Sequence, residues 1–419
     1  MKRLFDYINS KVLIKVAWLN SATLITKIIA GFLTTKFIAV FIGAEGLALI
    51  GNLKNFLNAV QSFATVGLYN GIVKYIGEFK NDTLKLSKTI STAYYLGFFT
   101  TIFISFLCYY NARSINDLIF YTQYDFAYII KIMALALPFY ALNMFCFSIM
   151  NGFSKYKILL IINIIGQIMG LCVTLLLIYQ NNIDGALISV VIAPSLIFLI
   201  TVVGILNRRS LITSIKVSNI DFRWLKKFGP YILMAIVSGI ALPLVLIAIR
   251  SYIISSEGMK DAGFWEAMNR ISSYYLMFVN SLMALYFLPR FKEIDNKIEF
   301  RKEVFSFYKT IIPLFGLGLL AIYLLRPFLV ALFLTEDFNP VQDLFGWQLL
   351  GDFVKVLSVV IAYQFIAKKM FLHYIIIEIF LVVMLYFTST YFVDMYGVKG
   401  ANIAGFIKVA DTMLDLGVV

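Results

Sequence analysis

The sequence contains few of the residues that build metal, redox or catalytic sites. Its 419 residues include a single histidine, three cysteines and 23 acidic residues. Cys108, Cys146 and Cys172 lie apart from one another inside apolar runs, without the CxxC spacing of a metal or redox site, and we predict that they are small core residues. No GxxxxGK[ST] phosphate-binding loop is present, and the loops are too short for a nucleotide-hydrolysing domain. We therefore expect no enzyme activity and no cofactor.

Apolar residues are what the chain has in excess. Hydrophobic residues make up 61% of it and charged residues 14%, and the mean hydropathy is +0.87. A soluble domain could not bury this much apolar surface. The net charge of +13 comes largely from short loops, where membrane orientation explains it without nucleic acid. The composition therefore predicts an integral membrane protein that does not bind nucleic acid.

About twelve apolar stretches of roughly twenty residues have the length of single membrane crossings. Two equal sets of spans with the same orientation suggest a parallel repeat with the substrate site at its seam. The predicted fold is an all-α integral membrane protein with twelve transmembrane helices in two six-helix lobes around a central cationic cavity. The predicted spans are 12–42, 47–76, 88–110, 126–150, 157–179, 186–206, 230–252, 264–289, 304–325, 344–366, 371–393 and 401–419.

The longest polar segment divides the two sets of spans. We predict an N-terminal lobe over 1–206, a cytoplasmic inter-lobe loop over 207–229 and a C-terminal lobe over 230–419. Lysine and arginine concentrate in every second loop, so the positive-inside rule places both termini in the cytoplasm. The last span begins at Ala401, and we expect it to be short and tilted or to stop before the helix would normally finish.

Cations inside the apolar runs are the main functional signal. A charge at the bilayer centre costs at least about 2.5 kcal/mol unless it faces a cavity or a partner. Snorkelling to the headgroups is an equally good alternative for Lys36 and Arg250, and Asp352 could neutralise Lys355 three residues away. Clustered ammonium and guanidinium groups favour a phosphate or pyrophosphate, such as the head of a lipid pyrophosphate. The candidate pyrophosphate-binding residues are Lys27, Lys36, Lys54, Arg250, Arg270 and Lys355.

Acidic residues inside the spans are fewer. Glu266, Asp352 and Glu378 each fall within an apolar run. A carboxylate in such a site can load and release protons, or it can pair with a nearby cation. These three residues are therefore candidates for ion coupling or for charge pairing.

Several stretches, taken together, resemble the Wzx flippases. These proteins belong to the superfamily that also contains the lipid II flippase and the multidrug and toxin extruders, and the likeness is greatest to the branch that handles O-antigen and enterobacterial common antigen repeat units. The most specific part is the WQLLGD pattern at Trp347 to Asp352. The stretches are DLFGWQLLGDFVKV from Asp343, AGFWEAMNRISSYYLMF from Ala262, YFLPR from Tyr286, TKIIAGFLTTKFIAV from Thr26 and GLYNGIVKYIGEF from Gly67.

The resemblance implies a multi-pass protein of the bacterial inner membrane. Such a protein moves undecaprenyl-pyrophosphate-linked oligosaccharide from the cytoplasmic to the periplasmic leaflet by alternating access, coupled to an ion gradient. Its partners would be this substrate, membrane lipids, and the polymerase and chain-length regulator of the same glycan pathway. The resemblance places Glu266 and Arg270 at positions that are neutral in this branch. It matches charged positions at Lys27, Lys36, Lys54, Arg250, Asp352, Lys355 and Glu378.

Three other functions remain as alternatives. A multidrug or toxin extruder of the same superfamily would carry cationic cargo, which favours an acidic interior rather than a basic one. A lipid II flippase has similar chemistry but more spans. A glycan polymerase or ligase would be expected to contain a large periplasmic loop, and the sequence has none.

Overall fold

The structure, a computed structural model, is helical wherever it forms regular secondary structure. It describes residues 2–206, 215–221, 223–287, 290–291, 294, 296–367 and 370–405, and no strand occurs among them. This confirms the predicted all-α fold. Parts of the predicted inter-lobe loop (207–214) and of the last predicted span (406–419) lie outside the described residues.

The helices follow the predicted spans closely. Residues 398–405 begin a further helix at the last predicted span. The helices before it are α1 (Lys2–Phe41), α2 (Gly43–Ala64), α3 (Leu68–Glu78), α4 (Thr83–Tyr110), α5 (Ala112–Phe120), α6 (Ala127–Gly152), α7 (Tyr156–Leu206), α8 (Arg223–Ser256), α9 (Met259–Leu282), α10 (Lys297–Leu324), α11 (Arg326–Phe333), α12 (Phe345–Ala367) and α13 (Phe371–Tyr396).

Eight helical stretches within the described residues are long and apolar enough to cross a membrane. One of them, in α7, contains two of the predicted spans. Helices α2 and α9 are long enough to cross a membrane but carry more polar residues than these eight stretches. Some of these polar residues belong to the site described below. Large apolar side chains point outward, as Phe99 and Phe103 of α4 show with exposures of 66% and 60%. This is the surface that a lipid environment requires, and the chain is a multi-pass membrane protein.

Two details of the predicted spans are corrected. The predicted span 47–76 is divided, because the backbone turns at Val66 and Gly67, which have φ values of 50° and 56°. Helix α8 begins at Arg223, within the segment 207–229 that was predicted as loop.

The prediction for the cysteines also needs one correction. Cys108 is buried as predicted, Cys146 is partly buried and Cys172 is exposed. Cys172 lies on an outward face of α7, where a small and weakly polar thiol is compatible with acyl chains. Cys172 is therefore not a core residue.

Helix α7 is interrupted inside the gap that was predicted between its two spans. Asn181 and Asn182 have non-helical backbone angles, and Asn182 has a φ of 45° with a ψ of −117°. Residues with a Cβ rarely adopt this conformation, and the strain costs on the order of 1–3 kcal/mol.

We expect Asn182→Gly to raise the free energy of unfolding by about 1 kcal/mol, because glycine relieves most of this strain and loses part of the gain to its own entropy. The measurement is denaturant unfolding in detergent micelles. Asn181→Gly is the matched control, since Asn181 has an ordinary φ of −131° and gains nothing from glycine. Equal effects of the two substitutions would show that Asn182 is not strained.

The contacts divide the chain into two compact units. The first unit comprises Met1–Thr34 and Phe56–Ile240, and the second comprises Thr35–Asn55 and Ala241–Val419. Helices α1, α2 and α8 therefore contribute to both units. In the first unit α6 packs against α3, α4 and α7, and in the second α12 packs against α9, α10 and α13. The lobe boundaries given above, at 206 and 230, stay a prediction.

One end of the first unit gathers basic residues. Lys80 Nζ donates to Ser154 Oγ at 3.3 Å, which brings the turn after α3 to the turn after α6. The segment 215–221 lies at the same end as the start of α4, where the Lys216 amide donates to Ser91 Oγ at 3.0 Å. The basic side chains in these turns and in the adjoining ends of the helices are Lys80, Lys85, Lys88, Lys155, Lys157, Lys216 and Arg223.

Asp221 is the acidic partner at this basic end. Its Oδ2 lies 2.9 Å from Arg223 Nη2 and 3.7 Å from Lys88 Nζ, and its amide donates to Thr92 Oγ1 at 3.0 Å. The hydrogen bonds from Arg223 lower the pKa of Asp221 to about 2. Asp221 therefore stays ionised at every pH at which the protein would be handled.

Candidate functional site

The predicted site residues fall almost entirely in the second unit. Lys27 is the exception: it lies on α1 in the first unit, and its side chain is exposed. Three of the remaining residues meet in one buried cluster, and another forms a separate buried site. The residues in the second unit are Lys36, Lys54, Arg250, Glu266, Arg270, Asp352, Lys355 and Glu378.

Helix α9 runs through the core of the second unit. Every residue from Ala262 to Met268 is buried, and so are Arg270, Ile271 and Ser272. A helix buried on all sides cannot direct a charged side chain to solvent. The charges that α9 carries must therefore be compensated by neighbouring helices.

Glu266 joins two arginines into a buried cluster. Arg250 Nη2 of α8 donates to Glu266 Oε2 at 2.5 Å, and Arg270 Nε donates to Glu266 Oε1 at 2.9 Å. Glu266 and Arg270 can meet because residues four apart share one face of a helix. Arg250 is 1% exposed, Glu266 6% and Arg270 8%. We call Arg250, Glu266 and Arg270 the arginine cluster.

Helix α2 completes the arginine cluster with residues that the sequence did not single out. Asn52 Oδ1 accepts from Arg250 Nη1 at 2.7 Å. A Cβ atom at Gly51 would lie 2.7 Å from the Glu266 carboxylate and 2.9 Å from Arg250 Cζ, so a larger residue here would require these two side chains to shift. The Trp265 ring centroid lies 5.3 Å from Arg250 Cζ, within the range of a cation–π contact.

The arginine cluster carries more positive than negative charge. Two guanidinium groups face one carboxylate, and the exposed Lys54 also acts electrostatically on Glu266. Arg270 Nη2 is buried without a hydrogen-bond partner in the described part of the chain. Unused donors and excess positive charge in a low-dielectric environment suit an anionic ligand.

The structure shows what Arg250 and Lys36 contact, the two predicted cations for which snorkelling was an equal alternative. Arg250 is buried, so the snorkelling alternative is wrong for this residue. Lys36 Nζ donates to the carbonyl oxygens of Ala331, at 3.0 Å, and of Leu334. These carbonyls end α11, and a cation at the C-terminus of a helix is favourable. Two of the three Lys36 donors are therefore used within the protein.

Asp352 of α12 forms the second buried site, and it is 3% exposed. Its Oδ2 accepts from Ser272 Oγ and from Tyr275 OH, both at 2.5 Å, and from Gln348 Nε2 at 3.1 Å. Lys355 is exposed, and no ion pair joins Lys355 to Asp352 in this part of the structure. The suggestion that these two residues neutralise each other is therefore wrong.

The remaining predicted residues are not part of either buried site. Glu378 is half-buried on α13 and makes an electrostatic or hydrogen-bonding contact of its own. Lys27 and Lys355 expose their side chains. The structure thus brings Arg250, Glu266 and Arg270 together, and Lys54 acts electrostatically on Glu266.

Comparison with known sequences identifies related proteins along most of the chain. A family described as "Polysaccharide biosynthesis protein" matches residues 39–343. The lipid III flippase of Escherichia coli (strain K12) is 26% identical over 386 residues, which is 92% of each chain. The lipid III flippase of Shigella flexneri gives the same values.

Solved transporter structures share the fold. An inward-facing multidrug resistance MATE family transporter of the MOP superfamily has a TM-score of 0.76 at 13% identity, covering 92% of this chain and 93% of its own. The lipid II flippase MurJ in an inward closed conformation has a TM-score of 0.73 at 16% identity, covering 96% of this chain and 87% of its own.

These proteins are transporters and flippases rather than enzymes, which agrees with the expectation that the chain catalyses no reaction. At these identities the solved structures show the fold alone. The family match is more specific, because residues 39–343 make up well over half of the 419 residues. The chain belongs to the polysaccharide biosynthesis protein family.

Proposed function

We propose that the protein is a flippase that moves a lipid-linked polysaccharide precursor across the bacterial inner membrane. The observation that carries this proposal is the excess of positive charge within the helices of the second unit. Arg250 and Arg270 share one carboxylate, and Lys54 adds a third cation nearby. A pyrophosphate carries negative charge on several oxygens and suits such a group of donors.

The proposed substrate is an undecaprenyl-pyrophosphate-linked oligosaccharide. Its apolar tail can stay among the acyl chains while its charged head follows the cationic residues. The likeness to lipid III flippases over 92% of the chain supports a lipid-linked substrate. The O-antigen and common-antigen specificities remain expectations from the resemblance, and so do the polymerase and chain-length regulator as partners.

The direction of transport follows from the proposed orientation. The basic end of the first unit, around Lys80, Lys155 and Lys216, would face the cytoplasm by the positive-inside rule. Substrate would then enter from the cytoplasmic leaflet and leave in the periplasmic leaflet, with energy from an ion gradient. Both termini would lie in the cytoplasm.

A multidrug extruder is the second candidate, because a MATE family transporter shares the fold. Cationic drugs need carboxylates, yet Glu266 is already shared by two arginines. The charge balance therefore favours an anionic substrate. A lipid II-type flippase would use the same chemistry and differ in the attached glycan.

Proteoliposomes that contain fluorescent undecaprenyl-pyrophosphate oligosaccharide test the role of Lys54. The Lys54 side chain is exposed and acts electrostatically on Glu266. We expect Lys54→Gln to raise the substrate concentration for half-maximal translocation by about tenfold or more, since a hydrogen bond to a charged group contributes about 1.5–3 kcal/mol.

Lys399→Gln is the matched control for this experiment. Lys399 Nζ forms a surface ion pair with Asp343 at 2.9 Å, and such exposed pairs contribute little. Translocation by this variant should equal that of the unmodified protein. If Lys54→Gln and Lys399→Gln behave alike, Lys54 does not contact the pyrophosphate.

A further inference from the structure

A groove lies between α3, α4 and α6 of the first unit, and none of the predicted site residues lines it. Its empty volume is about 500 Å³, including space open to the surroundings. Along α6 it extends from Pro138 to Ser148, which is about 15 Å of helix. We call it the first-unit groove. Its buried floor is formed by Leu68, Ile72, Ala93, Thr101 and Ser148.

Small residues leave this space open. Ala93, Gly97 and Thr101 of α4 are spaced by four residues and therefore share one face of the helix. A Cβ atom at Gly97 would meet only Leu68 Cδ1, at 3.5 Å, which is an ordinary contact. Pro138 lies inside α6 and lacks a backbone N–H, which weakens the regular packing of that helix. The groove therefore results from missing side-chain volume on two neighbouring helices.

The walls of the first-unit groove are mainly aromatic and aliphatic. The Tyr94 ring centroid lies 6.0 Å from that of Phe98 and 5.1 Å from that of Phe145. The hydroxyls of Thr101 and Ser148 donate to the main-chain carbonyls of other residues at 2.9 Å and 2.7 Å. These hydroxyls are thus already hydrogen-bonded within the protein. A long apolar space of this kind suits a linear hydrocarbon chain better than a polar ligand.

One end of the groove leads to the basic end of the first unit. Tyr69 lines the groove, and its hydroxyl accepts from Asn151 Nδ2 at 2.8 Å. The Asn151 carbonyl accepts from the Ser154 amide at 2.8 Å, and Ser154 Oγ accepts from Lys80 Nζ. Lys155 follows directly in the same turn. Hydrogen bonds therefore connect the wall of the groove to the lysines at its end.

The basic end keeps an excess of positive charge. Asp82 and Asp221 are paired with other cations there, and Glu78 is exposed. Among the described residues, no ion pair involves Lys80, Lys155, Lys157 or Lys216. An anionic group at this end would therefore meet lysines that are not already neutralised by a carboxylate.

We propose that the first-unit groove binds one acyl chain of an anionic membrane phospholipid, whose phosphate contacts Lys80 and Lys155. Such a lipid joins a linear apolar chain to a negative head, and the groove joins an apolar space to a basic end. In the proposed orientation this end faces the cytoplasmic leaflet, whose surface is negatively charged. The lipid is a bound partner rather than the cargo, so its site goes beyond the proposed function and does not depend on it.

Native mass spectrometry of the detergent-purified protein tests the tail of this site. The protein is titrated with phosphatidylglycerol or with phosphatidylcholine of the same acyl chains. We expect Gly97→Leu to weaken phosphatidylglycerol binding by about tenfold or more, because leucine would occupy the groove and displacing about two methylene groups accounts for this factor. Gly318→Leu is the matched control, since nothing would contact a Cβ atom there within 4 Å. It should bind as the unmodified protein does.

Lysine substitutions test the head of the site and do not alter the groove. Lys155→Gln should weaken phosphatidylglycerol binding by about fivefold, the contribution of one lysine near an anionic lipid surface. Phosphatidylcholine binding should stay the same. Lys399→Gln is the control, because Lys399 is paired with Asp343 on the surface of the second unit. This variant should keep the unmodified preference for phosphatidylglycerol.

Four results would overturn the proposal. Equal binding by Gly97→Leu and Gly318→Leu would exclude the groove, and equal affinity of the unmodified protein for the two phospholipids would exclude the basic end. Competition by glycerol 3-phosphate at the concentrations of the lipid would show that the head binds without the chain. Displacement of phosphatidylglycerol by an equal amount of undecaprenyl phosphate would assign the groove to a polyprenyl tail. None of these measurements requires translocation, so failure of the proposed function would leave them unchanged.

Discussion

Glu266→Gln is expected to lower the free energy of unfolding by about 3–5 kcal/mol, because it leaves two guanidinium groups buried without their carboxylate. Arg250 and Arg270 are 1% and 8% exposed and cannot reach water by changing rotamer. Glutamine keeps the size of the side chain, so the loss reports charge rather than packing. The measurement is denaturant unfolding in mixed micelles, followed by far-ultraviolet circular dichroism.

Arg270→Gln is the matched comparison. It leaves Arg250 paired with Glu266 at 2.5 Å, and it also removes the buried Nη2 that lacks a partner. Arg270→Gln should therefore lower the free energy of unfolding by clearly less than Glu266→Gln does. When Glu266→Gln and Arg270→Gln are combined, the Arg270→Gln substitution should restore part of the stability that Glu266→Gln loses, since the two residues are in contact. Equal stability of Glu266→Gln and the unmodified protein would show that the arginine cluster is not an ionised network.

Gly263→Ala is expected to lower the free energy of unfolding by about 3 kcal/mol or more, at the upper end of the effects of overpacking. A Cβ atom at Gly263 would lie 2.0 Å from the Ala44 carbonyl oxygen and 2.4 Å from its carbon. The obstacle is backbone, so α9 would have to move away from α2. Small residues allow membrane helices to pack this closely.

Gly318→Ala is the control for this substitution, and the same unfolding measurement applies. Gly318 lies in α10, and nothing would contact its Cβ within 4 Å. Alanine should be neutral there or stabilise the helix by up to about 1 kcal/mol. A Gly263→Ala protein as stable as Gly318→Ala would contradict the close approach of α2 and α9.

Long apolar runs made the helices predictable, and the polar residues between these runs marked some of the helix ends. The gap predicted between 179 and 186 contains the break at Asn181 and Asn182. The turn at Val66 and Gly67 escaped prediction, because it interrupts an apolar run without any charged residue to mark it.

The candidate sites were predictable only in part. The four-residue spacing of Glu266 and Arg270 indicates one helix face, but no linear pattern shows that Arg250 of α8 and Asn52 of α2 meet them there. At the second site, Gln348 lies four residues before Asp352 within the WQLLGD pattern. The donors Ser272 and Tyr275 come from α9 and became visible only in the fold.

The two buried sites differ in the groups that compensate their negative charge. In the arginine cluster Glu266 faces two guanidinium groups. At Asp352 three neutral side chains donate to the carboxylate.

The most direct test of the central claim follows a fluorescent undecaprenyl-pyrophosphate oligosaccharide across the membrane of proteoliposomes, using a quencher that reaches only the outer leaflet. The proposed function predicts that the purified protein makes the inner-leaflet half of the lipid accessible, that excess unlabelled substrate slows this, and that a cationic drug does not. Quenching no faster than in protein-free vesicles, or competition by the drug alone, would contradict it.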